Sequence, residues 1–159
     1  MKTILLFAIT ILTSMSVSAQ QEIRTDKYNL VFTAPETLEF FKGDRESFFG
    51  YESDNYGVSI DVVPVSMESK KFMEDLSFGA KELAKDMGFS KSIGIGGIPD
   101  VSDSYYVTAI LKDQFGGVPV YVLVMLDSSR QTAYEICVYC YNLNMNAGEE
   151  MVNSFKFVD

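Results

Sequence analysis

Residues 118–126 read Val-Pro-Val-Tyr-Val-Leu-Val-Met-Leu, apolar at odd and even positions alike. A strand sends successive side chains to opposite faces, so such a run is satisfied only where both faces of a sheet are covered. Pro119 falls at its beginning, where a missing N–H disturbs the ladder least. β-rich runs at 104–112 and 132–142 flank it, joined by residues 113–117 and 127–131, connections short enough for hairpins. The expectation is an antiparallel meander whose middle strand is buried on both sides.

The rest of the chain must supply the covering layers. Residues 20–27 are polar and are expected to be mobile. Tyr28, Leu30 and Phe32 then alternate along a first strand that Pro35 ends. Two β-rich stretches, 37–42 and 46–52, are separated by Gly43 and Asp44. The turn signal at 54–57 leads into a stronger strand, 58–65, with Val58, Ile60 and Val62 on one side and Pro64 at its end.

Met73, Leu76, Ala80, Leu83 and Met87 form one apolar stripe at helical spacing, predicting a helix over 68–87. Ser66 is its expected N-cap, with Glu68 in the first turn. Gly88 stands where a left-handed residue ends a helix, and Phe89 can fold back onto the last turn. Residues 90–98 read as a weak strand broken by glycines. Asn146 is placed to cap a short C-terminal helix, with Glu149 completing a capping box and Met151, Val152 and Phe155 on its buried side. The predicted fold class is α+β: a single antiparallel sheet with a meander, and one long and one short C-terminal helix packed on it as an α/β/α sandwich.

The first residues read as targeting. Lys2 gives a minimal positive start, residues 4–12 are apolar apart from Thr10, and Val17 and Ala19 occupy the −3 and −1 positions of a signal-peptidase site. A membrane span needs about 20 apolar residues, and Thr13, Ser14, Ser16 and Ser18 interrupt this run early. Residues 1–19 are therefore expected to be a cleaved signal peptide, with cleavage between Ala19 and Gln20 and residues 20–159 forming one domain. The residue after the cut is not cysteine, so the mature form is expected to be exported, periplasmic or secreted, without a lipid anchor or membrane insertion.

The chain of 159 residues carries a net charge of −9 and contains no histidine. Its acidity repels phosphate backbones and anionic membranes, which argues against nucleic-acid binding. Lacking imidazole, it has neither the commonest general base near neutral pH nor the commonest metal ligand. Ser-His-Asp and Cys-His systems cannot be built within it.

Cys137 and Cys140 form a CxxC, but inside a stretch that reads as strand rather than at a helix N-terminus. There they point to opposite faces with Cα atoms roughly 10 Å apart, beyond disulfide reach. They are expected to be two separately packed thiols. Gly94-Ile95-Gly96-Gly97 leads to a Pro-Asp turn rather than a helix, so a bulge at a sheet edge is expected rather than a phosphate cradle. The carboxylate pairs Asp44/Glu46, Glu52/Asp54, Asp100/Asp103 and Glu149/Glu150 are expected on a solvated acidic surface. Asp100 to Asp103 lacks the ligand density of a dedicated Ca²⁺ loop. No cofactor or metal is implied. Glu135, Tyr139 and Tyr141 share a strand face with Cys137, opposite Tyr134, Ile136, Val138 and Cys140. If exposed, that aromatic face would suit a protein or glycan partner.

Residues 28–35 (Tyr-Asn-Leu-Val-Phe-Thr-Ala-Pro), the strand–helix step over 58–87, the meander over 105–141 and the closing 151–157 (Met-Val-Asn-Ser-Phe-Lys-Phe) together resemble the PsbP-like superfamily. That group includes a photosystem II accessory protein, a Ran-GTPase binding factor and many small exported bacterial proteins. The tryptophan often found after the first-strand proline is missing, since the chain has no Trp. The resemblance covers nearly all of residues 20–159 and implies a shared fold and protein-binding roles, without a catalytic residue to carry over. The expected function is a non-enzymatic exported binding or accessory module whose partner is another exported or envelope protein. The alternative is a small-ligand carrier with a pocket between sheet and helix. A flat aromatic patch would favour the first, and an enclosed apolar cavity the second.

Overall fold

The computed structural model describes residues 19–25, 27–65, 75–112 and 116–158. In chain order, β1 (Gln21–Thr25) and β2 (Leu30–Ala34) form a hairpin, followed by β3 (Glu39–Lys42), β4 (Phe48–Glu52) and β5 (Tyr56–Pro64). Helix α1 (Leu76–Asp86) comes next, then β6 (Ser90–Ile98), β7 (Val101–Leu111), β8 (Val118–Asp127) and β9 (Thr132–Cys140). Helix α2 (Met145–Asn153) and β10 (Lys156–Phe157) close the described chain.

The strands form two antiparallel sheets rather than the single one expected: seven strands in the order β3-β4-β5-β9-β8-β7-β6, and three in the order β1-β2-β10. The segment expected to be mobile contains β1. Its polar sequence still alternates, with Ile23 and Thr25 buried and Glu22 and Arg24 exposed, and pairing with β2 satisfies its backbone. The meander β7-β8-β9 is as expected, and β8 is covered on both faces. Val120, Val122 and Val124 pack with α1, whereas Tyr121, Leu123 and Met125 pack with the small sheet and α2. The larger core joins Leu30 and Phe32 to Ile60, Leu123, Ile136, Met151 and Phe155. Each such fully buried side chain contributes about 1.5–3 kcal/mol.

Helix α1 starts at Asp75, whose side chain accepts a hydrogen bond from the Phe78 N–H at 3.0 Å. Ser66, Glu68 and Met73, assigned to this helix from the sequence, lie outside the described residues. The described helix begins after its Asp75 cap, later than the start expected at Glu68. Its buried line runs through Gly79, Ala80 and Ala84, with Leu76 and Leu83 partly buried beside them and Met87 41% exposed. Small side chains let the helix lie close on Val107, Ala109 and Val122, which displaces the stripe from the larger residues. Gly88, at φ 77°, ends the helix as expected. Its N–H donates to Lys85 and that of Phe89 to Ala84, both at 2.9 Å.

Helix α2 is capped by Asn144, which accepts from the Ala147 N–H at 3.2 Å, and not by Asn146. Leu143 adopts φ 62°, and the cap falls two residues earlier than the sequence suggests. Glu149 therefore forms no capping box; it accepts a hydrogen bond from the Tyr106 hydroxyl at 2.9 Å. Met151, Val152 and Phe155 are buried as expected. Strand β6 pairs with β7 through register shifts around its glycines, the bulged edge anticipated for 94–97. Ala19 and Gln20 are exposed and immediately precede β1; residues 1–18 lie outside the described chain. No helix among the described residues is long and apolar enough to cross a membrane.

Candidate recognition cleft between the two sheets

The β1–β2 connection is held from within. The Tyr28 N–H donates to the Thr25 carbonyl at 2.9 Å, and the Thr25 hydroxyl both donates to and accepts from the backbone of Leu30. Asn29 supplies the left-handed residue the turn needs, at φ 51°. Lys27 and Tyr28 are thereby held over one end of the large sheet. Beneath them, the pairings Phe40↔Tyr51 and Lys42↔Phe49 place four side chains of β3 and β4 on the face that looks toward the small sheet.

Between these parts lies an open cleft of about 320 Å³. Its floor is aromatic. Tyr28 stacks on Phe49 with centroids 5.3 Å apart, and Phe40 lies edge-on to Tyr51 at 5.5 Å and tilted to Phe49 at 6.4 Å. Phe49 is buried, whereas Phe40 is 61% exposed. The rim carries Arg24, Lys27 and Lys42 with Glu46, in a chain of net charge −9, and Arg24 is ion-paired with Glu22 at 3.5 Å. Lys27 is ion-paired with Glu46 and sits 5.3 Å from the centre of the Tyr28 ring. Hydrogen bonding between them raises the Lys27 ammonium pKa and lowers that of the Glu46 carboxyl.

Among the described residues, the cleft also borders a sheet edge with no further strand beside it. β3 ends the seven-stranded sheet. The Gly43 N–H donates to the Phe48 carbonyl at 2.9 Å. Bonded and non-bonded pairs alternate in an antiparallel ladder, so the main-chain groups of Phe41 and Glu39 turn toward β4 while those of Phe40 and Lys42 turn outward.

Glu135, Tyr139 and Tyr141 lie on the opposite face of the large sheet, the α1 side. The rings of Tyr139 and Tyr141 stack at 6.1 Å, and Phe89 packs edge-on to Tyr139 at 6.2 Å. Tyr141 lies over Gly57, where a Cβ would stand 2.6 Å from its hydroxyl, and remains 41% exposed. Tyr139 is half-buried, which raises its pKa. Glu135 is held apart from the two rings, directly across from Asp61 on β5. Burial raises its carboxyl pKa, Asp61 adds to the rise and Arg45 opposes it. Asp61 itself is ion-paired with Arg45 and accepts from the Ser47 hydroxyl at 3.2 Å.

The two cysteines are free and occupy different layers. Cys137 belongs to the α1-side core and Cys140 to the core under the small sheet. Burial pushes the thiols up to about 12 and about 11 respectively. Among the described residues no three His, Cys, Asp or Glu side chains converge as metal ligands would, and no buried side-chain nitrogen or oxygen lacks a partner. A second, polar cleft of about 630 Å³ at Thr37, Glu39, Glu52, Ser53 and Asp54 gathers carboxylates at one end of the large sheet.

Sequence reasoning missed the aromatic cleft because its parts come from three separated segments, one of them set aside as mobile. The available signal was the spacing of Phe40 with Lys42 and of Phe49 with Tyr51, each pair sharing one strand face.

No protein-family model matches the chain, and no curated protein matches it in sequence. Solved structures match it in fold. The Ran-binding protein Mog1p of Saccharomyces cerevisiae superposes with a TM-score of 0.57 at 13% identity, covering 89% of this chain and 97% of that one. A point-substituted form of Mog1 gives 0.58 at 12% identity over the same shares. CyanoP, the cyanobacterial PsbP of Synechocystis sp. PCC 6803, gives 0.55 at 11% identity over 91% of this chain and 96% of that one. The chain therefore has the PsbP-like fold, which Mog1 shares, and at these identities the likeness is one of fold.

Proposed function

We propose that the chain is an exported, non-enzymatic binding or accessory module that recognises another protein through the cleft between its two sheets. The observation that carries this reading is Phe40, a largely exposed aromatic side chain on an aromatic floor beneath a cationic rim. Aromatic anchors seated among packed neighbours are what dominate protein interfaces. Among the fold relatives, Mog1p is named as Ran-binding, which supports a protein partner as a class. Export rests on the reading of residues 1–19, and the absence of enzymatic activity on the lack of histidine and of any nucleophile motif.

Affinity capture from the native envelope fraction tests the reading, using residues 20–159 with and without Phe40→Ser. A polypeptide retained by the first and lost from the second is expected. Equal retention by both would place recognition elsewhere. An exported product whose intact mass begins at Gln20 is expected, and one retaining Met1 would contradict export by cleavage.

The small-ligand reading keeps one supporting observation. The cleft volume falls at the lower end of the range for ligand sites, about 300–1,000 Å³. That cleft lies between two sheets, however, rather than between sheet and helix. Native mass spectrometry showing a stoichiometric organic compound on the purified protein would favour it.

A further inference from the structure

We infer that the occupant of the cleft is an extended acidic polypeptide segment that adds as a strand to the outer edge of β3. This rests on the cleft being the recognition site and specifies the chemistry of the partner.

Three observations converge. First, β3 ends its sheet, and the main-chain groups of Phe40 and Lys42 point away from β4, so a partner strand finds donors and acceptors already aligned. Second, side chains of such a strand alternate between two faces, and those on the cleft side come within about 5 Å of Phe40 and Lys42. An apolar side chain there extends the cluster of Phe40, Tyr51 and Phe49. An acidic side chain two residues away meets the Lys42 ammonium. Third, the opposite face of β3 selects differently. Glu39 is exposed there, and Phe41 lies over Gly50, where a Cβ would stand 2.4 Å from its ring. Carboxylates on that side of the incoming strand are repelled. The pattern recognised is therefore acidic and apolar residues alternating with neutral ones, the acid and apolar groups sharing one face.

The test uses a capped heptapeptide, Thr-Glu-Thr-Phe-Thr-Glu-Thr, labelled for fluorescence anisotropy and titrated with residues 20–159. Saturable binding that weakens as salt is raised is expected. Lys42→Glu should weaken it about tenfold or more, as should replacing both Glu of the peptide by Lys. Lys81→Glu, on the exposed side of α1, should leave it unchanged. N-methylation of alternate peptide residues, tried on each of the two registers in turn, should abolish binding in one register and spare it in the other. Phe40 and Lys42 are exposed, so melting curves of their variants should match the parent and separate lost binding from lost folding.

Binding that ignores peptide charge, or that survives N-methylation in both registers, would overturn the inference. If Phe40→Ser loses the captured partner while no heptapeptide binds, the cleft remains the recognition site and the acidic-strand occupant is wrong. Binding of dodecanoate at the cleft without any peptide binding would instead assign it to a small anionic ligand.

Discussion

Cys137 and Cys140 lie three residues apart on one strand yet in different layers of the protein. The Cys137 Sγ is 3.4 Å from the Met87 Sδ beside α1, whereas the Cys140 Sγ sits beneath Gly148 of α2. Both thiols are pushed well above neutral, to about 12 and about 11, chiefly by burial. The thiolate is the reactive form, so neither should react at neutral pH in the native state. Iodoacetamide labelling is expected to be negligible before unfolding and to reach two thiols per chain after unfolding without reductant. Fast labelling of one cysteine in the native protein, or fewer than two afterwards, would contradict this placement.

Gly148 brings α2 into close contact with the large sheet. A Cβ there would stand 2.3 Å from the Cys140 Sγ and 3.0 Å from the Tyr121 ring. Gly148→Ala should destabilise the fold by about 1–3 kcal/mol, the usual cost of overpacking. Combining it with Cys140→Ala removes the nearest atom, so the double variant should lose less than the sum of the two singles. Additive losses in urea denaturation would show that the helix does not press on the sheet here.

On α1, Ala84 is fully buried, Leu83 is partly buried and Lys85 is exposed. Ala84→Asp should cost about 3–5 kcal/mol, as expected for an uncompensated buried charge. Leu83→Asp should cost less, and Lys85→Asp only a small amount beyond its exposed pairing with Glu82. Melting temperatures falling in that order check the assignment; Leu83→Asp as the worst of the three would restore the stripe read from the sequence.

Those three residues show where sequence reasoning stops. Hydrophobic periodicity weights large side chains and so read Leu76, Leu83 and Met87 as the buried line with Ala80, whereas the fully buried residues are Gly79, Ala80 and Ala84, whose value is that they are small, and the larger three pack at the margin. The meander was legible because residues 118–126 are apolar on both faces and their pairing partners are adjacent in the chain. β1 was not, since only Ile23 and Thr25 of its five residues are buried. The second sheet also closes through pairing of Leu30 and Val31 with Phe157 and Lys156, far along the chain. For the same reason the cleft stayed hidden: no local pattern announces that Tyr28 stacks on Phe49. The strand face shared by Glu135, Tyr139 and Tyr141 was legible from alternation alone.

Glu135 links this structure to pH. Burial, with Asp61 across the strand pair, raises its carboxyl pKa above the ordinary 4.5. The folded state therefore holds this proton more tightly than the unfolded state, and the stability it confers is lost as pH rises through the folded value. Glu135→Gln removes that penalty. Its melting temperature should exceed the parent's at neutral pH, and the difference should shrink as pH falls below 4.5. A difference that instead grows on acidification would mean that the ionised carboxylate is the stabilised form.

Recognition through the cleft is tested most directly by photo-crosslinking in the native host. A photoreactive phenylalanine analogue is placed at position 40 in one variant and at position 141 in another, on the two opposite faces of the large sheet. Phe40 lies at the cleft and Tyr141 over Gly57, and both side chains are exposed. The expected result is one polypeptide trapped from position 40, with no counterpart from position 141. A polypeptide trapped only from position 141 would assign recognition to the face of Glu135, Tyr139 and Tyr141 and contradict the cleft.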